Sequence, residues 1–290
     1  MRMFKEGVDQ AAGIKRMTNK KPVRVIAIAS GKGGVGKTNL SVNLGVSFCK
    51  LGHKVALLDA DMGLANVDIL LGLHPEYNLT HVLSGEKTLD DIVVEGPHGL
   101  KVIPASSGVQ HMAEIGTMEQ AGIINAFGEF GHDIDMLLVD TAAGIHGGVI
   151  NFARACQEVL IVVCDEPTSL TDAYALIKLL NRDHGLSRFH IITNMVETLN
   201  HGKVLYQKLC KVTDQYLDVA LYFTGAVPFD KSLRKSVQKQ QAVVESAPNS
   251  PAATAIKNIA KRIDGWPVQR GAGGYLEFFV ERLIQGESAG

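Results

Sequence analysis

Residues 30–40 read S-G-K-G-G-V-G-K-T-N-L and follow the apolar run Val23 to Ala29. Within them G-x-x-x-x-G-K-[ST] occurs as Gly31, Gly36, Lys37 and Thr38. An apolar strand entering a glycine-rich loop that opens a helix constrains this chain more than any other segment, because that unit belongs to parallel α/β sheets. Gly31, Gly33, Gly34 and Gly36 let successive backbone N–H groups, through Val35 to Asn39, turn towards phosphate oxygens. Lys37 is placed to reach the β and γ phosphates, the Thr38 hydroxyl to ligate Mg²⁺, and the helix N-terminus to add partial positive charge. The expected ligand is a Mg²⁺-nucleotide.

The rest of the chain alternates short apolar runs with helical patterns, which predicts a mostly parallel, doubly wound α/β sheet of about seven to eight strands. Candidate strands are Val23–Ala29, Lys54–Asp59, Leu100–Pro104, Asp135–Asp140, Glu158–Cys164, Arg188–Asn194 and Val219–Val227. Candidate helices include Asn39–Leu51, Met118–Phe130, Thr171–Asp183, Lys203–Tyr216 and Pro251–Ile263. Three segments are expected: an N-terminal arm at 1–21, the nucleotide domain at 22–266, and a glycine-rich linker with a terminal helix at 267–290. In that helix Leu276, Phe279, Val280 and Leu283 share one face at i, i+3, i+4 and i+7, which suits either a core contact or a reversible membrane anchor.

In such sheets ligands lie beyond the carboxyl ends of the strands. The second strand ends in Asp59-Ala60-Asp61, and two carboxylates beside a Mg²⁺-triphosphate can orient bound and attacking water. The fourth ends in Asp140-Thr141-Ala142-Ala143-Gly144, where Asp140 is placed to contact Mg²⁺ directly or through water and Gly144 to turn its N–H towards the γ-phosphate. Asn194 and Pro228-Phe229-Asp230 close two later strands and offer donors and acceptors for a base edge. No N-K-x-D guanine signature occurs, so ATP is preferred over GTP.

The run K-G-G-V-G-K-T, with Lys32 directly after the first glycine, resembles the deviant phosphate loop of the MinD/ParA family of P-loop ATPases. The resemblance implies that Lys32 reaches across an ATP-sandwiched homodimer and acts there with Lys37. It also implies that Asp61 positions or activates the attacking water, that Asp61, Asp140 and Thr38 belong to the Mg²⁺ shell with Asp59 as a further metal-shell residue or a structural support, and that Glu166 and Asp172 line the dimer face. Asn194 and the 228–230 loop match the adenine-side elements of that family in order.

Three later blocks, Asp61 to Gly72, Asp165 to Lys178 and Leu276 to Leu283, resemble the FlhG/FleN branch of the family, ATPases that control flagellar number. The arm Asp9-Gln10-Ala11-Ala12-Gly13-Ile14-Lys15 resembles the element with which that branch stimulates its partner GTPase FlhF, with Gln10 entering the partner's site. Other implied partners are a FleQ-type transcription regulator, flagellar basal-body components and the inner face of the cell membrane. Readings from other classes are MinD-type division-site control, ParA-type DNA partition and a metabolic phosphotransferase.

A formal charge of -1 argues against a general nucleic-acid footprint, although Lys231, Arg234, Lys235 and Lys239 recur on one predicted helix. Cys49, Cys156, Cys164 and Cys210 are scattered without a C-x-x-C pair, which suits reduced thiols in a cytoplasmic protein rather than a metal cluster. The N-terminus is polar and basic without a signal-like apolar stretch, and no apolar run reaches bilayer length.

Overall fold

The computed structural model describes residues 22–61, 66–104, 124, 126–267 and 276–287. The proposed arm with Gln10, residues 62–65 of the 61–72 block, most of the candidate helix Met118–Phe130 and most of the linker lie outside them.

Eight strands form one sheet: β1 (Arg24–Ser30), β2 (Val55–Ala60), β3 (Val94–Glu95), β4 (Lys101–Pro104), β5 (Met136–Ala143), β6 (Glu158–Cys164), β7 (Arg188–Val196) and β8 (Ala220–Pro228). Their order is β3-β4-β2-β5-β1-β6-β7-β8, and every neighbour pair is parallel except β3–β4. Seven of the eight strands coincide with apolar runs. The exception is two-residue β3, too short for a period to show in the sequence.

Eleven α-helices are described: α1 (Lys37–Lys50), α2 (Val67–Leu71), α3 (Leu79–Leu83), α4 (Leu89–Ile92), α5 (Gly147–Ala155), α6 (Pro167–His184), α7 (Leu199–Tyr216), α8 (Lys231–Gln238), α9 (Val243–Ser246), α10 (Pro251–Asp264) and α11 (Leu276–Glu287). Local chemistry sets several starts. Thr198 accepts from the His201 N–H to cap α7, and Ser250 accepts from Ala253 before Pro251 begins α10. The sequence pattern starts α6 at Thr171, a position that leaves Thr168 or Ser169 as its cap. Instead Pro167 begins the helix, and the Ser169 hydroxyl accepts from the Cys164 N–H.

Strand alternation divides the core between two faces. Ile26, Ile28, Leu57, Leu138, Leu160 and Ile192 pack against α1 and α10. Val25, Ala27, Leu58, Leu137 and Val139 face the other way, with Phe152 of α5 and Leu276, Phe279, Val280, Leu283 and Ile284 of α11. The i, i+3, i+4, i+7 face of α11 is thus buried; Val280 has no exposed surface. A third cluster joins β6 and β7 to α5, α6 and α7. No helix among the described residues is long and apolar enough to cross a membrane.

Candidate nucleotide site

The carboxyl ends of β1, β2, β5, β6, β7 and β8 converge around the loop that joins β1 to α1. Gly36 caps α1 with φ 83°, a conformation that favours glycine, and a Cβ there would come within 2.5 Å of Asn194 Nδ2. Gly31 is constrained by approach: a Cβ would lie 2.3 Å from the backbone of Asp172 in α6. The loop is therefore wedged between the ends of β7 and α6.

Strand register explains the buried charges. Asp59 and Asp140 are direct partners on β2 and β5, and alternation places them with Leu57 and Leu138 on the α1 side of the sheet. Lys37 Nζ donates to Asp140 Oδ1 at 2.9 Å, and Ser41 Oγ donates to the same oxygen at 2.7 Å. Asp140 is wholly buried and Lys37 nearly so, which makes either member costly to leave alone. Asp140 Oδ2 is buried without a hydrogen-bond partner.

Asp59 Oδ2 accepts from the N–H groups of Asn66 and Val67, and its Oδ1 accepts from that of Asp61. It thereby closes the loop between β2 and α2. Burial pushes its pKa up to about 6, and the neighbouring Asp140 charge adds to that rise against the three N–H donors. Asp61 follows on the rim, half-buried, and Thr38 lies in the first turn of α1.

Lys32 is half exposed and ion-paired with Glu166 of its own chain; its ammonium also donates to Thr168 Oγ1 at 2.9 Å. The hydrogen bond to Glu166 raises its pKa. Asp165 next to it pairs with His201 Nε2 at 3.1 Å. The Gly144 N–H, expected to turn towards a γ-phosphate, donates to the Ser30 carbonyl at 2.8 Å.

A cavity of about 290 Å³ lies beside the loop, lined by Gly36, Asn39, Asn194, Pro228, Phe229 and Asp230 among others. All the base-side candidates therefore meet in one space, but two are committed elsewhere. Asn194 Nδ2 donates to the Val35 carbonyl at 2.8 Å, so its amide also braces the loop. The Asp230 carboxylate caps α8 through the Ser232 N–H and accepts from Ala252, leaving the backbone of this loop and the Phe229 ring to face a base. Partial burial pushes the Asp230 carboxyl up, yet these N–H groups hold it below its usual range.

Sequence reasoning missed Ser41, gave Thr168 only a capping role, and missed the part of the cavity wall made by Leu233, Arg234, Val237 and Ile256. Ser41 was within reach, being one turn after Lys37 on the same helix face. The cavity wall carried no signal, because it forms only when α8 and α10 pack beside β8.

Among the described residues no three His, Cys, Asp or Glu side chains converge as a metal cage, and the four cysteines are free and dispersed. A phosphate-binding loop with two buried carboxylates, rather than a cage, is the arrangement that takes Mg²⁺ together with a nucleotide.

A family model described as ParA, NUBPL iron-transfer P-loop NTPase, matches residues 21–264. The antiactivator FleN of Pseudomonas aeruginosa is 54% identical over 96% of this chain and 99% of its own length. The flagellum site-determining protein YlxH of Helicobacter pylori is 35% identical over 83% of this chain and 82% of its own. A MinC:MinD cell division complex from Aquifex aeolicus contains a chain that superposes with a TM-score of 0.66 at 28% identity, covering 86% of this chain and 99% of that one.

Proposed function

This chain belongs to the MinD/ParA family of P-loop ATPases, and we propose that it is a Mg²⁺-ATP-dependent dimerising switch that sets flagellar number and placement. The observation that carries the flagellar reading is the 54% identity to FleN over almost the full length of both chains.

The site supports the switch. Lys37 exchanges its bond to Asp140 for the β and γ phosphates when ATP enters, and Asn39 to Gly36 cradle the same group. Thr38, Asp59 and Asp140 would hold Mg²⁺, with Asp61 beside them; the unpartnered Asp140 Oδ2 fits a metal-bound water. The ion would supply charge neutralisation at the triphosphate. Asp61 orients the attacking water. Gly144 leaves the Ser30 carbonyl and donates to the γ-phosphate, which ties the loop after β5 to nucleotide state. Asn194, Pro228, Phe229 and Asp230 enclose the adenine.

Dimerisation is supported by what surrounds the loop. Ile145, Met195 and Phe229 follow the carboxyl ends of β5, lie in the end of β7 and follow β8, and they are 48%, 43% and 64% exposed. Three large apolar side chains on the rim of a nucleotide site suit a face that a second copy covers. Lys32 then leaves Glu166 for the partner's phosphates. Finer partners are an FlhF-type GTPase engaged by the Gln10 arm and a FleQ-type transcription regulator, with basal-body proteins and the membrane surface as further contacts.

Deleting the gene in the bacterium that carries it should raise the number of flagella per cell. A Lys37→Ala copy should fail to restore the normal count. Unchanged flagellar number in the deletion strain rejects the flagellar reading, while unchanged size with ATP analogues in solution rejects the dimerising switch.

A further inference from the structure

At the opposite end of the sheet from the nucleotide site, α5, the last turn of α6 and α11 enclose a second cleft of about 370 Å³. Among the described residues its lining is Arg154, Asp183, His184 and Arg282, four titratable side chains. Arg154 Nη2 donates to the Arg282 carbonyl at 3.3 Å, which joins α5 to α11. The Arg282 guanidinium lies 5.5 Å from the centre of the Phe278 ring, which braces it from one side. Among the described residues neither guanidinium has a carboxylate within ion-pair distance, and both are half-buried.

Two partly desolvated guanidiniums on one cleft, neither ion-paired to a carboxylate among the described residues, repel each other and lower their energy by sharing an anion. Each presents a planar fork of donors that matches tetrahedral oxyanions, and His184 adds a further donor at the rim. Asp183 and the carbonyl end of α6 oppose this field, so the balance depends on both arginines. We propose that the cleft between α5, α6 and α11 is a binding site for a phosphate group held by Arg154 and Arg282. An occupant would clamp α11 onto α5, since one guanidinium comes from each helix.

The same chemistry is found in a soluble phosphate ester and in a phospholipid headgroup, and calorimetry with the full chain separates them. Saturating Mg²⁺-ADP first fills the nucleotide loop, so glycerol 3-phosphate then reports only the second cleft. Saturable binding near one per chain is expected, weakened at least about tenfold in Arg154→Gln and in Arg282→Gln with ADP affinity unchanged. Asp183→Asn removes only an opposing charge on an exposed side chain and should tighten binding about twofold to fivefold, a gain that loss of folding cannot imitate. If glycerol 3-phosphate fails but sedimentation with phosphatidylglycerol vesicles shows binding with the same three responses, the headgroup is the source. Absence of binding to both probes, or variants that bind as the parent does, overturns the proposal.

Discussion

Lys32 is held by Glu166 of its own chain, across 134 residues of sequence, at the point where α6 begins against the phosphate loop. The lysine expected to serve a partner's phosphates is therefore neutralised in cis, and the exposed pair must open before it can act in trans. Lys32→Ala should abolish ATP-dependent dimerisation, whereas Glu166→Gln should favour dimer about twofold to fivefold, as expected for release of an exposed pair. Sedimentation velocity with a non-hydrolysable ATP analogue reads both; equal dimer formation in parent and Lys32→Ala would end the trans assignment.

Lys37 and Asp140 make the opposite case, a pair with almost no water access. Removing one partner leaves a buried charge uncompensated, so Lys37→Met should cost about 3–5 kcal/mol in the nucleotide-free protein as well as abolishing ATP binding. The double variant Lys37→Met with Asp140→Asn should recover part of that loss. Urea unfolding checks the order, and a double variant no more stable than Lys37→Met would contradict the coupling.

Asp61→Ala should separate binding from turnover. Asp61 follows β2 half-buried, and the bond that ties it to Asp59 uses its backbone N–H, so ATP affinity and dimerisation should persist without the carboxylate while hydrolysis slows about 10²-fold to 10⁴-fold. Phosphate release under single-turnover conditions is the measurement, and a parental rate removes the residue from the mechanism.

Asp59 makes stability depend on pH. Its folded pKa of about 6 lies above the ordinary value of 3.8, so the folded state keeps a proton that the unfolded chain releases across that interval. Stability from this group is full below about pH 4 and falls as pH rises to about 6, by about 3 kcal/mol in all. Urea midpoints of the nucleotide-free protein should therefore contain a component that declines over this range. Asp59→Asn should flatten it; an unchanged slope would show that other groups carry it.

The phosphate loop, the sheet class and the two acidic strand ends were legible because each depends on near neighbours in sequence: glycine spacing, apolar runs, and a carboxylate closing a strand. Other features were illegible for the converse reason. Ser41 stands a readable turn after Lys37, but its partner Asp140 arrives only with β5, and Asn194 braces Val35 because β7 ends beside the loop, 159 residues away in sequence. The terminal helix shows the division most clearly. Its apolar stripe at 276, 279, 280 and 283 dictated an amphipathic helix, yet that stripe suits lipid and protein core equally, since both reward the same loss of water contact. Only the groove left by α5 and the β1–β2–β5 face decided that the stripe is buried in protein, and the same packing set Arg282 beside Arg154. Local pattern specifies which side chains seek burial or charge partners; which partners they find depends on contacts that close over more than a hundred residues.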